Sequence, residues 1–409
     1  MPVFWQKVVD WIGRQLSWLR PKAQMVVMPV FDAIERTEAL PADHLISKFD
    51  YLNESGRQAA QQVRDQMGQM FARYPAEHAD EMRRRLRSRD DTLHQSAFFE
   101  LTLHELLIRQ GFTIEEVEPV LANGRAPDFL VASPQGDRFY LEATLASGQP
   151  AATAGAERRM REALQAIDDV QSPGFFLSLH PRGTPDRPVA VARLRRDIQR
   201  FVDALDHATV IADLAAGRPW PTFEREEHGA LFRIEAVPKG RLGGGNLRAI
   251  GVRMMAPMQV QPQDAIKSAV LGKAGRYGDP DLPFVIAVNS LEDYARADDA
   301  EDALFGSHAV GINAAGEDRW IRNPDGVWHT ATGPGYSRVS AVLSTERVYP
   351  WSLGQRRARL IYNPWARRPL PDVPLGLDIV RIVDNVFQRQ DGQPLGEILG
   401  LPEDWPTDD

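Results

Sequence analysis

The stretch PDFLVASPQGDRFYLEAT, residues 127–144, places one acid in each of two short apolar runs, Asp128 and Glu142. Between them, Pro134-Gln135-Gly136 has the makeup of a three-residue hairpin loop. Proline suits the first central position, and glycine can take the left-handed conformation that closes the loop. Such a loop pairs residue 133 with 137, and counting back along both strands sets Asp128 directly opposite Glu142. Opposed residues on antiparallel strands share a face, with Cβ atoms about 5 Å apart. Two carboxylates at that distance repel, and one should titrate above its ordinary range. A divalent cation turns the same geometry into an asset, because Mg2+ and Mn2+ take hard oxygen ligands. The plainer alternative has Asp128 solvated at the strand's mouth and Glu142 paired with an arginine.

The elements around the hairpin must hold that pair in place. Upstream, LHQSAFFELTLHELLIRQGF repeats apolar residues at Phe99, Leu103, Leu106 and Leu107 and stops at Gly111, which predicts a helix. Glu100 lies one position off its apolar stripe, where an ordinary role would be an ion pair with His104 one turn on. FTIEEVEPVL follows as a strand, then the hairpin, then a helix over about 156–170 with Met160, Leu164 and Ile167 inward. This order resembles the core of the PD-(D/E)XK nuclease superfamily, the restriction-endonuclease-like fold. The resemblance rests on Glu100 in FFELTLHELLIRQGF, Asp128 in PDFLV and Glu142 in YLEAT, and it spans roughly residues 95–170. It implies metal-dependent hydrolysis of phosphodiester bonds in DNA, in a setting of bacterial defence or mobile-element biology. Asp128, Glu142 and the carbonyl of Ala143 would bind Mg2+ or Mn2+, with Glu100 as an outer or second-metal ligand.

Thr144 departs from that pattern. It shares a face with Glu142, where the family places a lysine that positions the attacking water and offsets phosphate charge. The chain has only six lysines, none between residues 49 and 238. A lysine could arrive from a distant segment, and Lys267 and Lys273 on QDAIKSAVLGKAGRYG are the best placed. Arg158 or Arg159 could supply charge instead, although arginine stays protonated and transfers protons poorly. A third outcome is a nuclease-like domain that binds nucleic acid or a partner without chemistry. A fourth is a structural α/β protein whose two acids merely cap strands.

The rest of the chain sets the frame. Its 409 residues are 43% hydrophobic and 25% charged, which predicts two or three folding units. With no cysteine, disulfides and thiolate metal sites are excluded and a cytoplasmic setting is expected. No apolar run is long enough to span a membrane. A net charge of −8 argues against nonspecific coating of nucleic acid, but not against a locally basic nuclease. Nucleic acid, DNA foremost, is the expected partner, with a protein partner or second copy left open. Helices alternating with apolar strands predict an α/β fold: a mixed central sheet flanked by helices. The expected division is an N-terminal helical region (1–92), a nuclease-like domain (93–366) and a Pro-rich C-terminal tail (367–409). The first twenty residues, with Phe4, Val8, Ile12, Leu16 and Leu19 at helical spacing, suit a helix docked on the body. No HExxH, GxSxG or Walker A pattern appears, and GRLGGGN lacks the order of a nucleotide cradle. MRRRLRSRD and the stripe Arg193, Arg196, Arg200 are solvated faces or phosphate contacts. YPWSLGQRRARLIYNPWARRPLP interleaves aromatic rings with arginines, which can stack bases and hold phosphates or pack as an edge cluster.

Overall fold

In a computed structural model, the described residues are 28–39, 41–147, 154–240, 248–253, 262–292, 294–312, 318–384 and 386–407. Among the described residues three helices come first: α1 (Lys48–Glu54), α2 (Gln58–Ala72) and α3 (Ala79–Leu86). The longer α4 (Asp91–Arg109) starts where the Asp90 carboxylate accepts from the N–H groups of Thr92 and Leu93, satisfying two donors that a helix start leaves open. Then come β1 (Thr113–Val117), β2 (Phe129–Ala132) and β3 (Arg138–Ala146).

An inserted unit follows: α5 (Ala154–Asp168), β4 (Phe175–Arg182), α6 (Val191–Asp203), α7 (His207–Ala215), β5 (Thr222–Glu227), β6 (Ala230–Pro238) and β7 (Ile250–Arg253). The chain returns through α8 (Pro262–Ala274), β8 (Phe284–Ser290) and α9 (Asp299–Phe305). A ribbon of β9 (His308–Ile312) and β10 (Asp318–Arg322), and the short β11 (His329–Thr330) and β12 (Gly333–Pro334), lie beyond. Last are β13 (Ala341–Glu346), β14 (Ala358–Tyr362), β15 (Asp378–Val383), β16 (Val386–Gln390) and α10 (Leu395–Ile398).

Eight strands form one mixed sheet in the order β1-β2-β3-β8-β13-β14-β15-β16. β1, β2 and β3 are an antiparallel meander, whereas β3, β8 and β13 run parallel. Alternation along β3 sorts its side chains onto two cores. Phe139, Leu141 and Ala143 join α4 and the N-terminal helices through Phe99, Leu103, Met67 and Met82. Tyr140 and Ala146 join the opposite core with Ile266, Val270 and Ala274 of α8 and Leu304 of α9. The expected α/β class, a mixed sheet flanked by helices, is what the chain forms.

Three expectations change. The helices before residue 92 share a core with α4, so packing draws no boundary there. The helix read as closing the 95–170 motif is α5, and its Met160, Leu164 and Ile167 are buried as expected, but against the separate sheet β5-β6-β4-β7. The helix lying on the face of Glu142 is α8, which arrives only after the insertion. The segment 367–409 is no tail, because β15 and β16 complete the large sheet. Its apolar runs are short and flanked by prolines, and β15 joins the sheet by pairing with β14. The N-terminal twenty residues and most of GRLGGGN lie outside the described residues.

Candidate active site

The hairpin forms in the expected register. Phe129 pairs with Leu141 and Ala132 with Arg138, while Ser133 N–H donates to the Asp137 carbonyl at 2.8 Å. Gly136 takes φ +91°, the conformation that the turn requires of it. Extending the register one step sets Asp128 opposite Glu142, just before β2 begins. One step further, Pro127 stands opposite Ala143. Proline has no N–H to return to the Ala143 carbonyl, so the β2–β3 ladder ends there. The Ala143 N–H is taken by Asp128, whose Oδ2 accepts it at 2.6 Å.

Glu142 and Thr144 share the face of β3 that α8 covers. Lys273, at the C-terminal end of α8, donates from Nζ to Glu142 Oε1. The other oxygen, Oε2, is buried without a hydrogen-bond partner. Tyr277 is 3% exposed, and burial followed by the adjacent Glu142 carboxylate drives its hydroxyl pKa upward. Lys267 does not reach the site. It lies six residues earlier, about 240° around the helix at 3.6 residues per turn, and donates to the Asp325 carbonyl. Arg158 and Arg159 stay in the inserted unit, on Glu162 at 3.1 Å and the Pro185 carbonyl at 2.8 Å.

Glu100 points elsewhere than expected. It does not pair with His104; its Oε1 accepts from the Tyr74 hydroxyl at 2.8 Å, and Arg85 grips both oxygens at 2.8 and 2.7 Å. Burial works against the Arg85 charge, but the bonds and charge of Glu100 outweigh it and raise its pKa. His104 instead packs against the Tyr74 ring, centroids 4.9 Å apart, and burial pushes its pKa down to about 4.

Asp128 lies between these groups. Burial, then the Glu142 charge, then the Glu100 charge push its pKa well above the ordinary 3.8, against the Ala143 N–H and Lys273. Burial first, and the opposed Glu142 second, thus make the Asp128 carboxyl keep its proton to higher pH than an ordinary aspartate.

Among the described residues, no group of three or more histidines or acids is placed to hold a metal ion. The expected set of Glu100, Asp128 and Glu142 is thus not assembled, because Arg85 and Tyr74 occupy Glu100. The oxygens that could take part in holding a cation are fewer: Asp128, the unpartnered Oε2 of Glu142 and the carbonyl of Ala143. Sequence reasoning missed Tyr74, Arg85 and Tyr277. The basic run MRRRLRSRD held Arg85, but nothing local marked it as aimed inward while Arg84 pairs with Glu81 and Arg87 with Asp32. Arg193 and Arg200 likewise turn to Asp197.

Compared with protein-family models, curated proteins and solved structures, the chain matches none. No helix among the described residues is long and apolar enough to cross a membrane.

Proposed function

We propose that this chain is a metal-dependent phosphodiesterase acting on DNA, built on a restriction-endonuclease-like core in which Lys273 stands in for the lysine absent at Thr144. The observation that carries this reading is the convergence of Lys273 on Glu142 beside Asp128. The order α4, β1, β2, β3, then α8 and a β8 parallel to β3 supports it, since an acid-bearing helix precedes the hairpin and a crossover helix brings the cation.

Asp128, Glu142 Oε2 and the Ala143 carbonyl would hold Mg2+ or Mn2+, which when bound polarises the phosphate and lowers the pKa of its water. The protein's own groups prepare that site. The Ala143 N–H fixes Asp128, and Tyr277 walls one side of Glu142. Lys273 offsets the paired carboxylates and presents an ammonium where negative charge builds on a phosphate. Thr144, half-buried two residues beyond Glu142, offers a hydroxyl to the same volume. Glu100 acts at one remove, raising the negative potential felt by Asp128. A chain without cysteine suits a cytoplasmic setting for this work.

The test is plasmid DNA with Mg2+ or Mn2+, using the parent, Asp128→Ala, Glu142→Ala and Lys273→Ala. Cutting by the parent alone supports hydrolysis; cutting by all four would end this assignment of the site. A second reading is favoured by one observation: Lys273 and Arg85 already neutralise Glu142 and Glu100. On that reading the fold binds nucleic acid silently, and the parent retains DNA but never cuts it with either metal.

A further inference from the structure

Three turns meet at the end of the large sheet where β8 and β13 begin. Arg338 donates to the Gly278 carbonyl at 2.7 Å, Arg368 reaches Asp279 at 2.9 Å, and Arg367 N–H donates to the Ser337 carbonyl at 2.7 Å. These links gather Arg338, Arg367 and Arg368 around one exposed carboxylate. Arg276 is exposed on the same turn as Tyr277, whose hydroxyl faces Glu142. Three guanidiniums, those of Arg338, Arg367 and Arg368, act on Asp279, and with Arg276 nearby in the chain they outnumber Asp279 and Asp281 in a chain of net charge −8.

Two exposed rings lie two residues before arginines of this group, Tyr336 before Arg338 and Trp365 before Arg367. Trp365 is 37% exposed and backed by His329, centroids 6.4 Å apart at 22°, and by Phe305 at 6.3 Å. Tyr336 is 42% exposed and sits at φ +44°, a conformation that costs a non-glycine residue energy and recurs at ligand sites. Other members of the aromatic and arginine-rich stretch have partners within the chain: Arg357, though exposed, on Asp378, Tyr362 under Arg381, Trp351 against Tyr51. Trp365 and Arg367 are exposed beside Ser337 and His329.

We propose that this surface binds unpaired nucleotides of single-stranded nucleic acid, with bases stacked on Trp365 and Tyr336 and phosphates on Arg276, Arg338 and Arg367. Exposed ring faces favour single strands because a duplex hides its base faces, whereas a phosphate-only patch would not discriminate. Arg276 and Tyr277 connect this surface to the acidic site, so the strand leads toward Glu142. That destination rests on the hydrolytic reading above; the binding itself does not.

The experiment uses the full chain in EDTA, so that no metal-dependent cutting intervenes. Labelled DNA and RNA strands of about 15 nucleotides are titrated beside the matching DNA duplex at two salt concentrations. Either single strand should bind about tenfold or more tighter than the duplex. Tyr336→Asn, which tolerates positive φ, combined with Arg367→Gln should weaken the single strand about tenfold or more with the unfolding midpoint unchanged. Arg367→Gln alone should give a smaller loss and a shallower salt dependence. Equal affinity for duplex and single strand, or a double variant that binds like the parent, overturns the proposal. If the parent cuts plasmid while that variant still binds fully, this surface is refuted and the hydrolytic reading survives. If strands bind, the variant fails and nothing is ever cut, the reverse holds.

Discussion

Lys273 and Glu142 are 131 positions apart in the chain and meet as an ion pair that leaves Glu142 only 3% exposed. Removing one partner of such a pair costs more than removing both, because a lone buried charge remains. Lys273→Met should therefore destabilise by about 3 kcal/mol, and Lys273→Met with Glu142→Gln should recover most of that loss. Cutting of DNA should fall at least about 100-fold in both. Lys273→Arg should restore stability but little of the cutting, because a planar guanidinium cannot place its charge as a compact ammonium does. Thermal unfolding and plasmid nicking in Mn2+ check the three variants together.

Asp128 gives the site a definite pH response. Below its ordinary value of 3.8 the carboxyl is protonated folded or unfolded and costs nothing. As pH rises past 3.8 the unfolded chain ionises while the native carboxyl holds its proton, so stability falls until the raised native pKa is passed. Asp128→Asn should thus be more stable than the parent at neutral pH, with the gap closing near pH 3.8. Denaturant titrations across that window measure it. A cation must displace the same proton, so Mn2+ binding should tighten with rising pH and release a proton, read by calorimetry in two buffers.

Glu100 should prove structural. Glu100→Gln leaves Arg85 facing a neutral amide and should cost about 2 kcal/mol, and Tyr74→Phe about 1 kcal/mol. Both should change Mn2+ affinity far less than Glu142→Gln does, because Glu100 acts on the site only through its charge at Asp128. A larger drop would return Glu100 to the ligand set.

His104 should limit acid stability. It is 2% exposed and its pKa falls from 6.5 to about 4 on burial. Between those values the unfolded chain takes up a proton that the native state refuses, so stability is full above 6.5 and drops as pH approaches 4. The full loss is on the order of 3 kcal/mol. His104→Phe should flatten this part of the stability profile in chemical denaturation.

Truncation after residue 370 should abolish folding rather than trim a tail. It removes β15 and β16, and with them Arg389, which grips Glu301 at 2.5 and 3.1 Å. Glu301 is 1% exposed, so Arg389→Ala alone should cost about 2–4 kcal/mol even with Arg322 and Arg359 nearby at 3.7 and 3.5 Å. Soluble yield and unfolding midpoints distinguish these outcomes.

Local chemistry made the opposition of Asp128 and Glu142 legible before any coordinates: a Pro-Gln-Gly turn sets register by counting, and register sets faces. The apolar stripe of α4 and the strands around it were equally legible, because periodicity reports which side chains leave water. It does not report what they meet. Lys267 and Lys273 were equivalent candidates in the sequence, and only the rotation of α8 against the sheet chose Lys273. Arg85 and Arg84 are neighbours in one basic run, yet one faces Glu100 and the other Glu81. The strands of 378–390 were hidden for the same reason: their pairing partner β14 and the buried acid they cover belong to other segments. Turn geometry is paid in local backbone terms, whereas ion pairs across 131 residues depend on sheet order and helix rotation, which only the assembled core decides.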